Sequence, residues 1–231
     1  MVVSDRVTRA LLLALAAVMV VFTIVYVVHK VTARVPARIL NLLHVNTEAA
    51  VPAWFNTALL LVAALLALFA LVSAPRSERT GWLVLTILLT YLSVDEGAGV
   101  HETFGELAAK LPMLDVGTFF WVLPGAILAL AGVAVVLLSC RRLPAPVRRP
   151  LLFALVLYGT GALGTEFVTG TLIRTFAGNF VVVDVVQPVL VMLEESLEMV
   201  ACIVAIRCLL QLFERQPDRL DRLVDVVAPR A

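Results

Sequence analysis

The sequence predicts an all-α fold: a polytopic transmembrane helical bundle of about six spans, with both chain ends cytoplasmic. Three observations lead there. Hydrophobic residues fill 61% of the 231 positions, against roughly 45–50% in soluble domains, and mean hydropathy is +1.02. The apolar residues gather in runs near the ~18–20 residues that a bilayer crossing needs. Lys and Arg are distributed unevenly between the turns on alternate sides.

The first run is 7–29. Arg6 and Arg9 precede it as they would precede a signal peptide. Its apolar stretch, Ala10 to Val28, outruns the ~7–15-residue core of such a signal, so it reads as a retained first helix. The linker 30–51 contains Pro36, and Pro52 follows it. Within it Ile39-Leu-Asn-Leu-Leu suits the membrane interface. Span two is 52–72, with Trp54 as an interfacial anchor. Pro75-Arg-Ser-Glu-Arg-Thr-Gly81 turns the chain. Span three starts near Trp82 and ends in Leu92-Ser-Val-Asp95-Glu96-Gly-Ala-Gly-Val-His101-Glu102.

A polar connector, 103–116, leads to span four, 117–138, with Trp121 and Pro124 near its start. The basic turn Arg141 to Arg149 precedes span five, 151–173, and span six follows at 181–212. In the tail, Leu220, Leu223, Val224 and Val227 recur at helical spacing. They predict a short amphipathic helix on the membrane surface. The chain therefore reads as one transmembrane domain, 1–212, and a cytoplasmic tail, 213–231.

With the N-terminus inside, thirteen of the 18 Lys and Arg fall in inside segments, and Lys30, Arg34, Arg38, Lys110 and Arg174 fall outside. Positive charge accumulates on the cytoplasmic side, so N-in, C-in in the inner (plasma) membrane is expected. Basic residues are not interleaved with aromatics, which argues against nucleic-acid binding. Cys140, Cys202 and Cys208 form no CxxC pair and no disulfide framework.

The unusual feature is acid inside apolar runs. A helix turns about 100° per residue. With Glu194 at zero, Glu198, Glu195, Asp184 and Gln187 share a wedge of about 100° on span six. On span three, Asp95, Glu96, Gly99, Glu102 and Glu106 share another, and His101 lies about 120° from Asp95 unless the Gly97–Gly99 turn unwinds. On span five, Glu166 shares a side with Gly159 and Gly170, and Gly159, Gly161 and Gly164 permit close helix approach. Asp95 lies ~21 Å from the inner end of its span by the helical rise. Pro188 removes the donor to the carbonyl of Asp184 and favours a kink.

An ionised carboxylate in a bilayer costs at least ~2.5–3.5 kcal/mol. Asp95, Glu96, Glu102, Glu166, Glu194, Glu195 and Glu198 cannot all be charged and uncompensated. Mid-span Lys and Arg are absent; Arg174 lies near the outer mouth, and Arg207 lies on the opposite face of span six. Protons, water or metal cations are left to compensate. The blander readings are a hydrogen-bonded network of protonated acids, a helix end at the interface for Asp95-Glu96, a solvated His101-Glu102 pair and an outer-rim cap for Asp184 and Gln187. Glu48, behind Asn46 and Thr47, suits a helix N-terminus.

Carboxylates with one imidazole suit Ca, Mg, Mn or Fe better than structural Zn. A zinc site from His29, His44 and His101 would need two ligands from a polar linker. Glu195-x-x-Glu198 has the spacing of a di-iron Glu-x-x-His motif without its His. GxSxG, HExxH and Gly-rich phosphate loops are absent, although Ser196 lies among the acids.

The set Asn46-x-Glu48-x3-Pro52-x-Trp54-Phe55, Asp95-Glu96-x4-His101-Glu102, Glu166 and Glu194-Glu195-x2-Glu198 resembles a group of uncharacterised bacterial multi-pass membrane proteins, from span two to span six. This resemblance implies architecture and no activity. The chain is more weakly similar to the alkaline ceramidase-like membrane metal-hydrolase superfamily, whose acids and histidines hold zinc in a helical bundle. It departs from that pattern in having six spans and no His-x3-His near its end.

The leading expectation is an acidic intramembrane site binding a divalent cation (Ca, Mg, Mn, Fe or Zn) for transport or sensing. Its ligand pool is Asp95, Glu96, His101, Glu102, Glu166, Glu194, Glu195 and Glu198, and its partners are membrane lipids and the cation or a proton. The alternatives are a metal-dependent membrane hydrolase acting on a lipid or peptide and a structural subunit with protonated acids.

Overall fold

The computed structural model describes residues 2–44, 50–100, 103 and 122–227. Asn46, Thr47, Glu48, His101, Glu102, Glu106, Lys110 and Trp121, each singled out above, lie outside the described residues. Those residues are helical throughout, without strands.

Helix α1, Val3–Thr32, covers the first expected span and extends it at both ends. At 30 residues it is about 45 Å long, more than the ~30 Å hydrocarbon thickness. A short helix α2, Ala37–Leu43, begins after Pro36 in the linker. Helix α3, Val51–Val72, opens with Pro52 in its first turn, where a missing N–H costs nothing. Helix α4, Arg79–Ala98, ends at Gly99, whose φ of 59° is the left-handed cap that glycine adopts without strain. The break ends the regular wheel of α4 at Ala98.

Helix α5, Val122–Cys140, precedes the basic turn. Helix α6, Ala145–Gly159, passes into a π-helical segment, Thr160–Thr165, and then into α7, Glu166–Thr175. A second π segment, Val182–Val186, leads into α8, Gln187–Arg215. Helix α9, Asp218–Val227, forms in the tail where the apolar spacing placed it.

Three helical stretches are long and apolar enough to cross a membrane: Val3–Thr32, Val51–Val72 and Ala145–Thr175. Gly125–Cys140 is apolar but shorter. The core forms where α3 and α4 pair as a hairpin and where α8 runs between α1, α3 and α6. On α8 the buried positions Met199, Ile203, Ile206 and Leu209 meet Leu60, Ala63, Ala67 and Trp82. Small residues on α3 let α8 approach closely, the usual device where lipid supplies no hydrophobic driving force. Outward residues such as Leu13, Val31, Leu130 and Val156 are strongly exposed.

One end of the bundle is held by polar contacts. Ser4 donates its N–H and its hydroxyl to the two Glu214 oxygens, at 2.7 and 2.8 Å. Arg207 pairs with Asp5 at 3.0 Å. Arg219 of α9 is buried and pairs with Glu78 at 2.6 Å, and the Trp82 indole donates to the same Glu78 oxygen. The tail helix therefore docks on the α3–α4 turn through Arg219, while Leu220 and Val224 stay exposed.

At the other end Lys30 pairs with Asp184, and Lys30 also sits 5.5 Å from the Tyr26 ring centre. The Tyr26 hydroxyl donates to the Asp184 carbonyl at 3.3 Å. That carbonyl is the one Pro188 cannot engage. The deformation is taken up by the π turn over Val182–Val186. His44 packs edge-on to Phe22, with ring centres 5.4 Å apart, and its burial lowers the imidazole below its ordinary pKa of 6.5.

Candidate functional site

The acids collect where the start of α3, the end of α4, the first π segment and the first half of α8 meet. Glu198 is the most enclosed, at 6% exposure. Asn56, one turn into α3, is fully buried and donates its amide to Glu198 Oε2 at 3.2 Å. The other face of that amide, Oδ1, accepts from the Cys202 thiol at 3.6 Å. Asn56 thus links α3 to successive turns of α8. Neither Asn56 nor Cys202 is among the site residues that the sequence predicts. The available signal was an amide one turn inside an apolar span, where polar groups are costly and partnered.

Glu195 stands one helical step away. Its Oε2 is buried and has no hydrogen-bond partner. The groups that act on it are other carboxylates: Glu96 of α4, Glu194 and Glu166. Glu198 feels Glu96, Glu195 and Glu194 in the same way. Glu198, Glu96, Cys202 and Asp95 also act electrostatically on the Tyr158 phenol. Five of the eight expected site residues, Glu96, Glu166, Glu194, Glu195 and Glu198, therefore share one electrostatic environment. Asp95 borders it through Tyr158 and Tyr91. His101 and Glu102 lie outside the described residues.

The approach of α6 to α8 is set by Gly161. A Cβ there would lie 2.9 Å from Glu198 Cγ and 3.0 Å from the Glu194 carbonyl oxygen. Thr165 donates its hydroxyl to the Gly161 carbonyl at 2.5 Å, satisfying an acceptor that the π turn frees. Gly159, placed by the wheel on the side of Glu166, faces open space, and the contact runs through Gly161. A π segment intervenes, and a wheel with 3.6 residues per turn loses phase across it. Asp184 pairs with Lys30, as the outer-rim cap reading expects, and does not join Glu194 and Glu198.

On α4 the close contact to α3 runs through Gly97, whose Cβ would meet Thr57 Cγ2 at 3.2 Å. Ser93 donates to the Thr57 carbonyl at 3.0 Å. These contacts fix the end of α4, and with it Glu96, beside the Asn56–Glu198 pair.

Chemically, the arrangement offers several carboxylate oxygens and a phenol in a partly enclosed setting. Like charges repel strongly at a low effective dielectric, so the site favours bound cations or protons. Among the described residues, no three His, Cys, Asp or Glu side chains converge tightly enough to hold a metal ion.

No curated protein and no solved structure matches the chain. A family match spans residues 10–212, from the first turns of α1 to the end of the buried stretch of α8, and the chain belongs to that family, described as Domain of unknown function (DUF8692).

Proposed function

We propose that this chain is a six-span, multi-pass protein of the inner membrane, with both ends cytoplasmic, whose acidic intramembrane site binds a cation for transport or sensing. The observation that carries the reading is the company of Glu195 and Glu198. Both are enclosed, and the charged groups acting on them are other carboxylates. A cation entering among them removes mutual repulsion. A divalent ion is the expected occupant; Asp95, Glu96, Glu166, Glu194, Glu195 and Glu198 are its ligand pool, and they must draw together on binding, because no three of them converge as they stand. His101 and Glu102 would complete its ligand set from the connector.

The topology has separate support. Ser4 bonds to Glu214 and Asp5 to Arg207, so the start of α1 and the end of α8 lie side by side. A chain whose ends meet on one face crosses an even number of times. The excess of Arg at that end supports a cytoplasmic side for it.

The test uses purified protein in nanodiscs loaded with calcium or manganese and assayed by elemental mass spectrometry. Stoichiometric metal that falls sharply in Glu195→Gln, and not in Asp184→Asn, is the expected result. Metal that stays sub-stoichiometric, or that ignores Glu195→Gln, refutes the divalent reading. Flux into proteoliposomes then separates a transporter from a sensor.

A further inference from the structure

Two basic turns that lie far apart in the chain meet at the end of the bundle where α9 docks. The first, 75–81, carries Arg76 and Arg79, and the second, 141–149, carries Arg141, Arg142, Arg148 and Arg149. Gly81 brings them together. A Cβ there would lie 2.9 Å from both Leu143 Cδ2 and the Ser139 carbonyl oxygen, so the start of α4 sits directly on the end of α5 and the turn beyond it. Arg142 closes the seam by donating from Nη1 to Thr80 Oγ1 at 3.3 Å.

The charge of this joint patch is not balanced from within. The single acid of the two turns, Glu78, is engaged by buried Arg219 of α9 and by the Trp82 indole. Among the described residues, none of the six arginines forms an ion pair. Three of them are held by neutral oxygens instead. Arg79 Nε donates to the Ala74 carbonyl, Arg142 to the Thr80 hydroxyl and Arg148 Nη1 to the Arg141 carbonyl, each at 3.3 Å. A guanidinium carries several N–H donors in a fixed fork, so each keeps donors to spare. Arg148 and Arg149 also stand near the start of α6, the positive end of its dipole, where further cations are disfavoured.

The level of the patch identifies the anion that it fits. Leu83 of α4, Leu138 of α5 and Phe153 of α6 are exposed apolar residues. They lie three or four positions from Arg79, Arg141 and Arg149 respectively, on the same side of the chain and about 4–6 Å away along the axis. The guanidinia therefore begin where the outward apolar surface ends, which is the depth of lipid phosphates. Orienting a span takes only positive charge near its ends. It does not require guanidinia from two turns to be anchored side by side.

We propose that this patch seats the headgroup of an acidic phospholipid, with its phosphate between Arg79 and Arg142 and its acyl chains along Leu83 and Leu138. Charge complementarity favours a headgroup with net negative charge over a zwitterionic one, whose cation the same guanidinia repel. The inference uses the multi-pass reading of the chain and does not depend on the acidic site.

The test titrates the purified full chain in detergent with phosphatidylglycerol or phosphatidylcholine of identical acyl chains, and native mass spectrometry counts the bound lipid. Phosphatidylglycerol is expected to bind at least about tenfold more tightly and to lose that preference at high salt. An arginine against an anionic headgroup contributes about fivefold, so Arg79→Ala/Arg142→Ala should weaken phosphatidylglycerol about twenty-five-fold. Arg6→Ala/Arg9→Ala removes equal charge from the exposed start of α1 and should leave binding unchanged. Equal binding of the two lipids, or equal losses in the two double variants, overturns the proposal. The salt dependence is read on the unmodified chain, so a variant that fails to fold still leaves a decisive measurement. Inorganic phosphate at matched ionic strength should not displace the lipid; displacement would make free phosphate the ligand and overturn the lipid assignment. Binding of hexaglutamate to the chain in phosphatidylglycerol nanodiscs would assign the patch to an acidic protein segment and overturn it as well. Calcium or manganese loading is a separate measurement, so failure here leaves the cation site standing.

Discussion

Replacing Gly161 with alanine tests whether the acidic site is built by close approach of α6 and α8. The added Cβ would lie 2.9 Å from Glu198 Cγ, 3.0 Å from the Glu194 carbonyl oxygen and 3.3 Å from Leu197 Cβ. Ordinary contact begins at 3.4 Å, so the helices must part by about half an ångström. The obstacles are stiff. One is the α8 backbone, and the Glu198 side chain is held by Asn56. Overpacking of this kind costs about 1–3 kcal/mol, and the helical preference of alanine over glycine returns ~0.8–1 kcal/mol. The net loss is then as much as about 2 kcal/mol. At ~2–4 °C per kcal/mol for a chain of this size, the melting temperature falls by up to roughly 8 °C. Gly159→Ala is the control. Two residues earlier, its Cβ meets nothing within 4 Å, so it should gain about 0.4–1 kcal/mol. Thermal unfolding of both variants in the same detergent is the assay. A Gly161→Ala protein that melts at or above Gly159→Ala would refute the packing argument.

Three further outcomes follow from the polar contacts. Arg219→Ala removes the buried partner of half-buried Glu78, which keeps only its bond from Trp82, and should cost about 1–3 kcal/mol, read by denaturant unfolding. Asp5→Ala breaks a pair whose partners are 49% and 37% exposed, and should cost no more than ~1 kcal/mol. Asn56→Ala leaves Glu198 without its amide donor and should cost about 1–3 kcal/mol in the same unfolding assay; stability equal to wild type would mean that the Asn56–Glu198 bond is not formed. His44 gives a pH dependence of definite sign. Its imidazole titrates below 6.5 when folded, so its contribution is present above pH 6.5 and is lost as pH falls through the lowered value. His44→Phe should flatten the fall in stability below pH 6.5. An unchanged slope would show that His44 does not titrate there.

Much of the fold is legible in hydropathy, because an apolar run of bilayer length has few alternatives to a helix. Helices α1, α3 and α9 begin within a few residues of where composition placed them. That Glu194, Glu195 and Glu198 lie on one side of α8 is also legible from their spacing. What the pattern hides is phase. Two π segments shift the register at Thr160–Thr165 and Val182–Val186, and a wheel carried across the first puts Gly159 where Gly161 packs. The Asn56 bridge was hidden for a different reason. A single amide has no periodicity, and its partners lie more than a hundred residues away. The docking of the tail by Arg219 escaped for the same reason, because one arginine in a charged helix carries no sign that it will be buried.

The π turn at Thr160–Thr165 spends one residue more than an α turn over nearly the same rise. Removing a single residue there would let Ala145–Thr175 run as an ordinary helix, with its hydropathy and length hardly altered. Such a chain would still insert. Everything from Glu166 onward would be rotated by about 100° relative to Ala145–Gly159, and Glu166 would turn out of the field of Glu195. Membrane insertion and assembly of the acidic site are thus written in separate features of one segment: the first in how apolar it is, the second in how many residues it counts.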